Sequence, residues 1–344
     1  GLRFFPAPLL MLRGSIATGE VPPTIADLRS SADFFRVQNT ALADPLRGGR
    51  PIGSERFFRL VYGGVPESPP EKARTISIGA ILNPQGRSGP RISLDYSRIS
   101  KMREPFALSF IFFEQQSALA NLPGLLAEIG FDSPRILRNP LSDADRALGF
   151  TGGVVIEVDG RGVNNGKSKV NALDLQVDWP LAAGRNGDFR LYGSATWLPS
   201  FRRRGSGQSL WVQSAGYADG PVEWRGHAGI DWTQGPLKLG INAQYVGAYR
   251  PTYSAPPMAE FNPQILRFQG GRSIPAVVYL DVGARRRFSL SRSGASAANI
   301  DLGFAIVNLL DKSPPITADP QTPGYSYYGD PRRRRFELTV STSF

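Results

Sequence analysis

The links between the apolar stretches of this chain alternate in length, and few folds can satisfy that rule. Short links at 6–8, 83–90, 182–188, 233–236 and 291–298 take turns with long ones at 19–72, 101–152, 203–221, 251–274 and 311–331. The stretches between them alternate apolar and polar residues, the period of a strand whose side chains point to opposite faces. A soluble Greek-key sandwich has no reason to place all its long connections at one end. A membrane-spanning β-barrel does, because its turns are short on one side of the bilayer and its loops long on the other.

The last segment, Arg332–Phe344, shows the pattern in its plainest form. Phe336, Leu338, Val340 and Phe344 fall on one parity, with Thr342 the soft member, and Glu337, Thr339, Ser341 and Ser343 fall on the other. Earlier strands repeat it: Ile76, Ile78, Ala80 and Leu82; Leu173, Leu175, Val177 and Trp179; Leu239, Ile241, Tyr245 and Tyr249; Ile300, Leu302, Phe304 and Ile306. Trp179, Trp197, Trp224, Trp232, Tyr245 and Tyr249 sit near strand ends, where a membrane barrel carries its interfacial aromatic girdle. A terminal Phe after such a strand looks like the closing residue of bacterial outer-membrane barrels.

Composition removes several classes. No run approaches eighteen apolar residues, so no ordinary transmembrane helix is expected. The absence of Cys rules out a disulfide framework and a thiolate metal site. The formal charge of +11 comes largely from short Arg runs, Arg202–Arg204, Arg285–Arg287 and Arg332–Arg335. Such runs at strand ends and loops suit charges held outside a membrane belt, or facing anionic glycolipid, better than a nucleic-acid face. The chain opens on Gly1 without a signal segment and is expected to be processed or a fragment. The one helical pattern, Ser117–Ile129 with Leu119, Leu122, Leu125, Leu126 and Ile129, reads as a short helix packed on a loop.

Counting Val154–Trp179 as one strand gives eleven strands in all, with every short link on one side. An odd antiparallel sheet leaves two open edges, which lipid does not tolerate. The expectation is therefore the C-terminal half of a larger barrel, drawn alone as an open sheet or one strained into contact at its ends.

Chemistry-bearing groups are few. His227 faces the expected lumen beside Glu223, Arg225 and Asp231, without the further ligands or nucleophile that a metal or catalytic site needs. Asp174, Gln176 and Asp178 share one lumen wall, as a hydrated interior requires. Gly152-Gly153 and Gly205-Ser206-Gly207 lack the strand–loop–helix setting of a phosphate cradle. The loop at 201–218 combines Arg202, Arg203 and Arg204 with Trp211, and the loop at 322–330 offers Tyr325, Tyr327 and Tyr328. Cations with aromatics are a ligand-binding composition. These residues and His227 are the candidate contacts; no catalytic residue, metal ligand or cofactor is expected.

Five stretches, in order, resemble TonB-dependent outer-membrane receptors, the 22-stranded transporters with a plugged lumen. Gly19-Glu20-Val21-Pro22-Pro23-Thr24 resembles the family's TGF-x-P-P segment. Gly63 to Lys72, with Pro-Glu-Lys kept before a strand, resembles its NP-x-L-K-P-E loop. Lys169 to Asp178 is similar to its A-R-V-x-G-V-D-L-Q strand, and Val307 to Pro315 to its NLFDKxPP segment. Tyr328 to Phe336 resembles the YDPRGRR entry into the last strand. The resemblance implies a bacterial outer-membrane location and active uptake of a scarce ligand of siderophore, cofactor or glycan type. It implies as partners membrane lipid and lipopolysaccharide, the TonB system through a plug not present in this sequence, and the barrel assembly machinery through the strand ending at Phe344. A passive porin-like channel is the alternative, and an outer-membrane barrel enzyme a more distant one.

Overall fold

The computed structural model describes all residues except 29–32, 39, 41, 63–67, 84–88, 105–125, 127–128, 162–165, 183, 205–209, 255–257, 291–297, 319–323 and 344. Its main body is one antiparallel sheet of eleven successive strands: β1 (Leu2–Ala7), β2 (Leu10–Val21), β3 (Glu71–Leu82), β4 (Arg91–Glu104), β5 (Gly166–Ala182), β6 (Asp188–Arg204), β7 (Trp224–Gln234), β8 (Leu237–Val246), β9 (Val277–Leu290), β10 (Ala298–Val307) and β11 (Arg335–Ser343). Each pairs with its neighbours in chain order. Among the described residues β1 pairs only with β2 and β11 only with β10, so the sheet is open at both edges, as the odd count requires.

Across the middle of the sheet, register carries each apolar parity onto the next strand, and the irregularities fall near strand ends. One rung runs Leu181, Phe189, Trp232, Leu239, Ala284, Phe304, Leu338 across β5 to β11. Nearer the long-loop end another runs Ile78, Tyr96, Leu173, Trp197, Trp224, where the two indoles stack at 5.4 Å. Leu338 remains 70% exposed and Leu2 82%. Ten strand spacings of ~4.8 Å and a belt ~25 Å tall make an apolar wall on the order of 1,000 Å². Soluble monomers rarely expose more than a few hundred Å² in one patch. This face is built for hydrocarbon, and among the described residues no helix is long and apolar enough to cross a membrane.

Two expectations are corrected. Val154–Trp179 is not one strand. Val155–Asp159 leaves the main sheet, and the Asp159 carboxylate accepts the Arg161 amide at 3.0 Å in a tight turn before β5 begins at Gly166. The barrel count stays at eleven because the first piece does not belong to it. Arg202–Arg204 are strand residues rather than loop residues, since β6 runs on to Arg204.

The first two long excursions are not independent loops. Short strands Asp33–Val37, Phe58–Tyr62, Val155–Asp159 and Ile136–Arg138 form one four-stranded sheet, with a parallel pair between Phe58–Tyr62 and Val155–Asp159. Val37, Phe58, Leu60, Leu126, Ile136 and Val158 form its buried core. Of the expected helix at 117–129 only Leu126 and Ile129 are among the described residues; both have helical backbone, and Leu126 is buried in that core.

Candidate functional site

The face opposite the apolar wall is polar and cross-linked strand to strand. Arg13 on β2 reaches Asp95 on β4 at 2.7 Å, across Gly79 of β3. A Cβ at Gly79 would sit 1.9 Å from the Asp95 carboxylate, so only glycine leaves room for this pair. Arg190 clasps Asp178 through two bonds of 2.9 Å, Lys238 meets Asp231 at 2.9 Å, and Arg287 holds Asp301 at 3.0 and 3.1 Å. Asp174 accepts from the Thr196 hydroxyl. Asp174 and Asp178, which share one lumen wall, are thus each committed to a neighbour.

One row of this wall runs Gln176, Ser194, His227, Gln244, Tyr279 across β5 to β9. The Ser194 hydroxyl lies 3.2 Å from His227 Nδ1, and the Tyr192 ring lies over Gly229, where a Cβ would meet it at 2.5 Å. Arg91, Asp178, Arg190, Tyr192, His227 and Asp231 surround a polar depression of about 360 Å³. Among the described residues, no three His, Asp or Glu side chains converge to hold a metal ion.

Above this wall three long loops are knitted into one scaffold. Asp219 is its hub: it takes the Arg203 guanidinium at 2.9 Å and the Ser254 amide at 3.0 Å. Ser214 bonds both Arg203 and Ser254. Tyr249 donates to Ser326 at 2.8 Å and meets Tyr328 edge to face at 5.5 Å, while Val222, Tyr249 and Ile274 form a small core beneath them. The Tyr328 hydroxyl closes the set on the Gly220 carbonyl at 3.3 Å. Gln269 ties the second of these loops to the short hairpin Ile316–Thr317/Gly324–Tyr325 of the third at both ends of its amide.

The expected contact residues therefore divide. Arg203 and Tyr328 join the loop scaffold, Tyr325 and Tyr327 stand exposed beside it, and His227 lies below on the lumen wall. Arg202 and Arg204 pair with Lys169 and Lys167 on the parity of Leu173 and Trp197, the apolar face, and Trp211 lies with them. Sequence reasoning missed Asp219 and Ser254 and set Tyr249 on the membrane wall, whereas the strand ends at Val246 and Tyr249 is buried in the scaffold; these roles depend on loops meeting in space. It also missed the two arginine hubs that join the first two excursions. Arg47, buried, donates to Glu55 at 2.9 Å and to the Gly152 carbonyl at 3.0 Å, and it pairs with Asp145 at 2.9 Å; Arg138 clasps Asp44 at 2.7 and 3.1 Å. The signals were present, a Ser142-x-x-Asp145 capping box and Asp44 capping the turn at Pro45–Arg47, but neither names its arginine.

No family model and no curated protein sequence matches the chain. Solved structures do match. A variant of the ferric enterobactin receptor of Pseudomonas aeruginosa aligns over 99% of this chain and 39% of its own, with a TM-score of 0.56 at 14% identity. The siderophore receptor PirA from Acinetobacter baumannii aligns over 99% of this chain and 40% of its own, with a TM-score of 0.58 at 10% identity. The likeness shows the fold, an antiparallel β-barrel, and this chain spans about two-fifths of the length of those proteins.

Proposed function

We propose that this chain is the C-terminal barrel portion of a TonB-dependent outer-membrane receptor that imports a scarce ligand. The observation that carries the reading is the eleven-stranded sheet itself, with an apolar wall, a cross-linked polar wall, and all long loops at one end. β1 and β11 run in the same direction, so an antiparallel barrel closes only through a further odd number of strands. Eleven more make the 22-stranded, plugged class. The proteins of matching fold are named as receptors for ferric enterobactin and other siderophores, which makes a ferric siderophore the first ligand to try. Cofactors and glycans follow.

In this reading the loop scaffold around Asp219 captures the ligand and the lumen wall receives it. Arg203, His227, Tyr325, Tyr327 and Tyr328 are the assigned contacts: cations and phenols suit an anionic or hydroxyl-rich ligand. Energised release belongs to TonB acting through a plug, and the last strand supplies the signal for barrel assembly.

Uptake of labelled ferric siderophores, cobalamin and maltodextrin by cells carrying the complete receptor tests this. One ligand should enter, only in cells with functional TonB, and Arg203→Ala should weaken its capture on the order of tenfold, the worth of one charged hydrogen bond. Uptake undiminished without TonB would instead identify a passive channel.

A further inference from the structure

Resting on the membrane reading above, we infer that the long-loop ends of β3 to β6 form a docking site for a lipid headgroup bearing more than one phosphate. The register places the cations. Immediately above the rung Ile78, Tyr96, Leu173, Trp197 on the same face come Ile76, Arg98, Asn171 and Ser200. Next are Arg74, Ser100, Lys169 and Arg202, and above them Lys72, Met102, Lys167 and Arg204. Successive rungs rise ~7 Å along tilted strands, or about 5 Å along the membrane normal. Four strands span ~14 Å. Seven cations thus crowd the height at which acyl chains give way to headgroups.

Carboxylates are turned away from this patch. Among the described residues Glu20 is the one facing it, and it takes Lys72 at 2.9 Å. Glu71 faces the other side, on Lys101 at 2.6 Å. Glu104 is swung inward by a bulge in which Arg103 adopts φ 61°, and it accepts from Ser168 at 2.7 Å. Among the described residues Arg74, Arg98, Lys167, Lys169, Arg202 and Arg204 have no carboxylate partner. Instead Lys169 and Arg204 flank the Trp211 ring at 4.5 and 5.3 Å, an amphipathic indole at the same level. Among the described residues the short-turn end of this face carries one strand cation, Arg286, packed on Phe288.

Six like charges repel one another unless something anionic sits among them. A soluble anion has no reason to be met beside a hydrocarbon wall. A multiply phosphorylated lipid does: its acyl chains lie on Ile76, Ile78, Leu94 and Leu173 while its phosphates reach the rungs above. The one-ended asymmetry matches a bilayer whose outer leaflet differs from its inner one.

The test uses the complete receptor, purified in detergent, with lipopolysaccharide as the probe. Wild-type protein should bind it with an affinity that falls as salt rises. The combined variant Arg74→Gln, Arg98→Gln, Lys169→Gln, Arg202→Gln should bind about a hundredfold or more weakly, at roughly fivefold per charge removed. Arg286→Gln should change nothing, and the Arg/Lys exchange Arg74→Lys, Arg98→Lys, Lys169→Arg, Arg202→Lys should restore binding if the Gln set assembles poorly. TonB-dependent uptake of the nutrient should persist in the Gln variant, which separates this site from the transport reading. Unchanged lipopolysaccharide affinity in a heat-modifiable Gln variant would overturn the site. Full competition by equimolar inorganic phosphate, or equal affinity for phosphatidylglycerol vesicles, would overturn the multiply phosphorylated lipid as its occupant.

Discussion

Arg47 shows how much one buried cation can organise. Its guanidinium spans two excursions, holding Glu55 from its own and Asp145 and the Gly152 carbonyl from the other, with Phe150 stacked at 4.7 Å. Asp145 is lowered to about 2, first by bonds from the Ser142 hydroxyl and amide and then by Arg47. Glu55 is also lowered, chiefly by Arg47. A depressed carboxylate stabilises the fold above its unfolded value near 4 and loses that contribution as pH falls through its folded value. The loop subdomain should therefore resist protease at pH 5 to 8 and open between about pH 4 and 2, read by limited proteolysis of intact receptor. Arg47→Met should open it already at pH 7, because Asp145 keeps its charge and loses its cation. Equal cleavage at pH 7 and pH 2.5 would mean the arginine hubs do not hold the subdomain.

At the scale of a strand, β10 sets the two faces against each other. Phe304 packs between Ala284 and Leu338 on the apolar wall, while Asp301 answers Arg287 on the polar one. Phe304→Arg should cost ~2–4 kcal/mol at mid-height in the bilayer. Asp301→Asn removes one exposed ion pair and should cost less than about 1 kcal/mol. Urea unfolding of the complete receptor in lipid vesicles measures both, and the reverse order of costs would mean the faces are exchanged. The alternation that identifies these faces was plain in the sequence because long strands repeat it four or five times. The four short strands of the loop subdomain were not, since five residues such as Asp33–Val37 hold too few alternations to stand out, and the parallel pair joins Phe58–Tyr62 to Val155–Asp159, about a hundred residues further on.

For the whole molecule the open edges decide. β1 and β11 each present a row of unpaired N–H and C=O groups, costing several kcal/mol apiece in hydrocarbon, against a total domain stability of about 5–15 kcal/mol. Residues 1–344 exported alone should not give a compact membrane monomer, whereas the complete receptor should migrate faster on a gel before boiling than after. A heat-shifted, protease-resistant monomer of 1–344 would refute the half-barrel and favour a small autonomous channel.

The sequence alone determined the architecture. Period-two alternation, the two-sided rule of link lengths and the odd strand count are local or additive properties, so the eleven strands, their faces and the open edges could be read from it. The same was true of His227 on the polar face, since parity places a side chain once its strand is known. Only the tertiary structure decided which loops meet and which way a run of like residues divides. Arg202, Arg203 and Arg204 look alike in the chain. A pleated strand sends the middle one to Asp219 and the other two to the membrane side, and the bulge that sets their register is fixed by pairing with β5. Arg47, Arg138 and Asp219 act through partners up to about a hundred residues distant, and no local pattern encodes that closure.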